Sequence, residues 1–186
     1  MAPIICPKCG CKNTTAVSDI KSSNDESTIK ATQEKALCYY CNSCETNFGG
    51  DTTLLEKSTI RIYVNTYKKD TVSQTINFYK TAAGATVEGP FLCYYPDLPE
   101  LYLDQEQWAR FLKSFYALYV FDWKHDYINT DCSHEFGWDL KIKFEDQEPF
   151  VSKGSDCYPP YWDALMDLFV SFGLPNIKNK LAQNFL

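Results

Sequence analysis

Cys6-Pro7-Lys8-Cys9-Gly10 and Cys41-Asn42-Ser43-Cys44 decide how this chain begins to fold. A C-x-x-C pair on a tight turn brings two thiolates to one ion, and two such turns complete a tetrahedron. Zinc holds four sulfurs at ~2.3 Å, so the ligands must come from two loops that converge in space. Gly10 suits the left-handed backbone that follows the second sulfur of such a turn. Tyr39 and Tyr40 before the second pair, and Phe48 after it, are placed to shield the ion from water. The expected metal ligands are Cys6, Cys9, Cys41 and Cys44, with Cys11 and Cys38 spare. A register using Cys38 with Cys41 is an alternative, and an iron–sulfur cluster is an alternative occupant. Four thiolates leave no vacant position, so the expected Zn2+ is structural rather than catalytic.

These residues resemble the zinc-ribbon family, whose form is C-P-x-C-G, a hairpin, then aromatic-x-C-x-x-C. The resemblance covers residues 1–48 and implies a small metal-held ribbon. Glu45 stands where the family has glycine, and the segment between the pairs is long. That segment, Lys12 to Leu37, is rich in Ser, Thr, Asn and charge and has too few large apolar side chains for a core of its own. Gly49-Gly50-Asp51 reads as a joint, which divides the chain into a ribbon over 1–50 and a second domain over 56–186.

In the second domain, Ile60, Ile62 and Val64 alternate with Arg61, Tyr63 and Asn65, the period of a half-buried strand. Lys68-Lys69-Asp70 reads as a turn. Thr71 to Lys80 is a second strand with Val72, Gln74, Ile76 and Phe78 on one face, and Thr86 to Tyr95 a third extended piece. Pro96 and Pro99 interrupt regular structure. Asp104 with Gln107 is the signature of a capping box, followed by Trp108, Phe111, Leu112, Phe115, Leu118 and Tyr119 at helical spacing. Trp138, Leu140, Ile142 and Phe144 form another strand, and a last helix carries Trp162, Leu165, Met166, Phe169 and Phe172 inward. Asn176 to Leu186 reads as a short helix or a frayed end. The expected class is α+β: the ribbon, then an antiparallel sheet packed against two helices.

A second resemblance covers about residues 100–170. Phe121-Asp122-Trp123, Tyr127, Trp138-Asp139-Leu140 and the run Gly154-Ser155-Asp156-Cys157-Tyr158-Pro159-Pro160-Tyr161-Trp162 are similar to a poorly characterised bacterial α+β module. The chain departs from it at Asp131-Cys132 and at Asp156. The module implies no activity. Gly154 and Ser155 read as a tight turn, with Tyr158 to Trp162 anchoring the last helix.

Composition narrows the function. The 186 residues are 45% apolar and 16% aromatic with a net charge of −6, which excludes a disordered chain. Nine cysteines is an odd number, and the opening Met1-Ala2-Pro3 carries no basic stretch before an apolar run. An exported disulfide framework is therefore not expected, nor is a membrane span, and the expected address is the cytoplasm. Residues 81–186 hold eight basic and sixteen acidic groups, which disfavours a phosphate backbone as their partner. The primary reading is a non-enzymatic zinc-binding protein whose aromatic, acidic domain contacts another protein. One alternative is nucleic-acid contact through Lys8, Lys12, Lys21, Lys30 and Lys35 of the ribbon. Another is a hydrolase or transferase using Cys132, Cys157, His125 or His134, or a pair among Asp122, Asp126, Asp131, Glu135, Asp139, Glu145 and Asp146. No P-loop, G-x-G-x-x-G or G-x-S-x-G is present.

Overall fold

The computed structural model describes residues 4–17, 38–69, 73–89, 101–128 and 135–178. These residues form a mixed α+β protein with two sheets and three α-helices. The small sheet comprises β1 (Thr14–Val17), β2 (Cys38–Cys41) and β3 (Thr46–Gly49), antiparallel in that order. Thr14 and Thr46 both stand opposite Cys41, so the strands flank a cysteine on either side.

A six-residue helix, α1 (Thr53–Ser58), leads into the large sheet. Its strands are β4 (Thr59–Lys68), β5 (Gln74–Thr81), β6 (Gly84–Glu88), β7 (Leu101–Asp104), β8 (Asp126–Ile128), β9 (Phe136–Phe144) and β10 (Phe150–Ser155). They lie in the order β7-β6-β5-β4-β9-β10-β8. The purely antiparallel expectation is corrected at one edge, where the three-residue β8 runs parallel to β10. A strand that short carries too little alternation to be read, and its direction follows from β9 standing between the two in the chain. Two further differences concern short elements. The helix α1 has no buried residue and hence no apolar stripe, and β7 precedes the cap that the sequence marks.

The expected cores of the strands are in place. Ile62, Val64, Ile76, Phe78, Trp138, Leu140 and Ile142 are fully buried on one face. A bulge between Thr59 and Arg61 shifts the alternation, so Thr59 is buried while Ile60 is only partly so. Thr59 is tolerated there because its hydroxyl pairs with Tyr116 at 2.8 Å and donates to the Leu55 carbonyl at 2.6 Å.

The helices α2 (Gln105–Tyr116) and α3 (Trp162–Ser171) cover this face. Asp104 caps α2 as expected: its carboxylate accepts from the Gln107 N–H at 2.8 Å while the Gln107 side-chain Oε1 accepts from the Asp104 N–H at 2.9 Å. Trp108 and Phe111 stack on Phe78, with the Phe78 and Phe111 rings 4.4 Å apart, and Phe111 in turn stacks on Phe115 and Phe169. Gly154 is not in a turn. It lies within β10, and a β-carbon there would sit 2.2 Å from Trp138 Nε1. The indole fills that space and donates to the Cys157 carbonyl at 2.8 Å. The turn comes at Asp156, whose φ is +48° and whose carboxylate accepts from the N–H groups of Glu135 and Phe136. After α3 the chain is held down by Ile177, buried, with its carbonyl accepting from Thr66 at 2.8 Å. The expected turn at Asp70, the strand starts at Thr71 and Val72, the extended piece beyond 89, and the tail beyond 178 lie outside the described residues.

Candidate metal centre

Two loops of the same construction face each other. In the first, the Gly10 N–H donates to the Cys6 carbonyl at 2.9 Å, and Gly10 has φ +74°. In the second, the Glu45 N–H donates to the Cys41 carbonyl at 2.9 Å, and Glu45 has φ +55°. Each loop thus turns its chain back through one left-handed residue directly after its second cysteine. Asn42 ties the loops together, its side-chain amide donating to Asn13 Oδ1 and Thr15 Oγ1, both at 3.1 Å.

The loops bring the sulfurs of Cys6, Cys9, Cys41 and Cys44 within 4.8 Å of one another. Sγ of Cys6 lies 3.6 Å from that of Cys44, and Sγ of Cys9 lies 3.5 Å from that of Cys41. A tetrahedron of sulfurs ~2.3 Å from a central ion has edges of about 3.8 Å. A disulfide needs ~2.05 Å, and all four are free thiols. These four cysteines are positioned to bind a metal ion. Cys11 and Cys38 lie outside the group: the Cys11 thiol pairs with Ser43 Oγ at 2.8 Å, and Cys38 lies on β2 opposite Gly49.

The protonation chemistry is graded. Burial pushes the Cys6 thiol up, and burial raises that of Cys9 to about 12. The Thr46 hydroxyl, 3.1 Å from Cys44, lowers that thiol to about 7. A metal binds thiolates, so its arrival must displace protons from the two raised groups.

The Phe48 and Tyr39 rings stack on each other with centroids 5.5 Å apart and pack in the cluster with Cys6 and Cys41, whereas Tyr40 stays outside the cluster. The third ring of the cluster is a surprise. Tyr119, expected in the core stripe of α2, falls after the helix ends, at φ +53°, and packs edge-on to Phe48 at 5.3 Å. It also meets Tyr161 at 5.4 Å.

Three more side chains from the part of the chain after α1 hold this unit by its backbone, two on the first loop and one on the end of β3. The Tyr161 hydroxyl donates to the Ile5 carbonyl at 2.8 Å and accepts from the Ile5 N–H at 3.1 Å. The Tyr127 hydroxyl donates to the Pro7 carbonyl at 2.9 Å. Asp122 accepts from the Gly49 N–H at 2.9 Å. Burial raises the Asp122 carboxyl above its usual range, opposed by that N–H and by Lys8, and burial lifts the Tyr127 phenol to about 12. None of these four was singled out for the metal site by its sequence setting. Their only signal is that each is a polar group inside an aromatic run, with its partner more than seventy residues away.

Beside this junction lies a cavity of about 600 Å³ lined by Lys8, Asp122, Lys124, His125, Glu148 and Phe150. His125 Nδ1 is 2.7 Å from the Val151 carbonyl, and Cys157 packs against the core. No hydrogen bond joins a nucleophile to a base there among the described residues. Asp126 pairs with Lys153 and Glu145 with Lys80. Cys132, His134 and Asp131 lie outside the described residues. Also among the described residues, no helix is long and apolar enough to cross a membrane. No family model, curated protein or solved structure matches this chain.

Proposed function

We propose that this chain is a non-enzymatic zinc protein: Cys6, Cys9, Cys41 and Cys44 hold one structural Zn2+ in a zinc ribbon, and the α+β domain carrying it recognises another macromolecule. The observation that supports this reading is the gathering of four thiols, from loops more than thirty residues apart, at the spacing of a tetrahedron's edges. Zinc suits the site because four thiolates satisfy its tetrahedral preference and leave no open coordination position. The ion would fasten the two loops beside a small sheet whose strands, among the described residues, bury only Cys41 and Phe48. Tyr161, Tyr127 and Asp122 would then transmit that rigidity to the large domain.

Elemental analysis of protein purified without added metal is expected to give one zinc per chain and no iron. Cys41→Ser and Cys44→Ser are expected to abolish it, while Cys38→Ser and Cys11→Ser retain it. Full zinc occupancy in Cys41→Ser would refute the assignment.

A further inference from the structure

Both long helices cover one face of the large sheet, and among the described residues no helix covers the other. Tyr67 and Tyr102 are 39% and 44% exposed on it. At its centre, Tyr79, Arg61 and Lys143 stand side by side on β5, β4 and β9, with Tyr63 and Lys141 paired in the next row. Arg61, Lys141, Lys143 and Tyr63 line a cleft of about 190 Å³. Cations directly opposite each other across strands repel, and Arg61 faces Lys143 in register. None of the three cations forms an ion pair with a carboxylate among the described residues. In a chain of net charge −6, this is a concentrated positive field.

Two of the groups are fixed in advance. Arg61 donates from Nε and Nη2 to Asn77 Oδ1, at 3.2 and 2.9 Å, and its guanidinium sits 4.7 Å over the Tyr79 ring. The Tyr67 ring lies over Gly137, where a β-carbon would come within 2.2 Å of it. Only glycine at that position lets the phenol settle onto the strand surface while remaining exposed.

We propose that this face binds single-stranded nucleic acid, with Arg61, Lys141 and Lys143 on phosphates and the Tyr63 and Tyr67 rings as stacking surfaces. Aromatic rings on an open sheet beside cations are the arrangement by which unpaired bases and their backbone are held together. An acidic peptide would use the cations and leave the rings idle, and a duplex hides the faces of its bases. The overall negative charge does not prevent this, since at physiological salt a charge is screened over ~8 Å. Two carboxylates share this face: Asp139, opposite Asn65, stands in the row between Tyr63 and Tyr67, and Glu88 stands opposite Asn77. The positive field is therefore confined to Arg61, Lys141 and Lys143, and a strand reaching Tyr67 must pass Asp139. The proposal rests on reading the chain as a recognition protein, and not on its zinc.

The test is fluorescence anisotropy of the full chain with labelled twelve-nucleotide oligouridylate and oligothymidylate at about 50 and about 200 mM salt. Binding that weakens steeply with salt is expected. Lys141→Glu with Lys143→Glu should weaken it about tenfold or more and flatten the salt slope. Tyr67→Ala should weaken it about fivefold or more and leave the slope unchanged. Circular dichroism and the thermal midpoint check folding, and Lys141→Gln with Lys143→Gln replaces the charge reversal if the midpoint moves. Tighter binding of the uridylate would mean that the 2′-hydroxyl is read, and equal binding that backbone and stacking suffice; both support the proposal. Absence of binding at low salt, variants that bind like wild type, or polyglutamate displacing the oligonucleotide with no response to Tyr67→Ala would each overturn it. Cys41→Ser that loses zinc yet binds normally would leave it standing.

Discussion

Glu45 occupies a left-handed backbone position at the same point of its loop where Gly10 occupies the first. A side chain there costs about 1–2 kcal/mol relative to glycine, part of which glycine returns as unfolded-state entropy. Glu45→Gly is therefore expected to raise the stability of the metal-loaded protein by about 0.5–1 kcal/mol, read from denaturant midpoints. Tyr161 is the opposite case. Its phenol satisfies both the N–H and the C=O of Ile5, next to a ligand. Tyr161→Phe leaves both without that partner and should cost about 1–3 kcal/mol, a drop of several degrees in the thermal midpoint, together with weaker metal retention against a competing chelator. Protonation adds a further test. The Tyr127 phenol is raised from 10.0 to about 12 in the folded protein, because burial disfavours the phenolate. A raised value means that its contribution is complete below pH ~10 and is lost as pH climbs toward ~12. Stability should thus fall over that window, and less steeply in Tyr127→Phe, when followed by tyrosinate absorbance and unfolding at each pH.

At the scale of elements, legibility followed pattern length. The capping box of Asp104, the α2 stripe from Trp108 to Phe115 and the alternation through Trp138 to Phe144 extend over several repeats and are present where the sequence places them, whereas Leu118 and Tyr119 fall beyond the end of the helix. Short elements were not legible, because three residues of β8 or six of α1 hold too few repeats of any period. Spacing marked Cys6, Cys9, Cys41 and Cys44 as a candidate set but left the Cys38–Cys41 register open, since both are C-x-x-C; in the fold Cys38 lies on β2 outside the gathered sulfurs. The tyrosines that hold the first loop were not legible, because a hydroxyl reaching 120 or 156 positions away leaves no local trace. Gly154 was misread for a related reason: glycine signals both turns and close approach, and here the Trp138 indole occupies its missing side chain. Gly154→Ala is expected to cost about 3 kcal/mol, combining overpacking with loss of the Trp138–Cys157 hydrogen bond, and to alter the near-ultraviolet circular dichroism of the Trp138 and Trp162 rings, which lie 4.7 Å apart.

For the whole molecule, the two sheets differ in what holds them. The large one has a continuous core running from Ile62 to Ile177, whereas among the described residues the strands of the small one bury two side chains, Cys41 and Phe48. Removing the metal with a chelator is expected to leave most far-ultraviolet dichroism unchanged while amide exchange in β2 and β3 accelerates to the rate of an open chain. Exchange should also quicken at Tyr119 and around Asp122, which meet the small sheet directly. The most direct measurement of the central claim is X-ray absorption at the zinc edge on protein purified without added metal. Four sulfur neighbours at about 2.3 Å, with no nitrogen or oxygen in the shell, are the expected result. A shell containing nitrogen or oxygen, fewer than four sulfurs, or no zinc signal at all would contradict it.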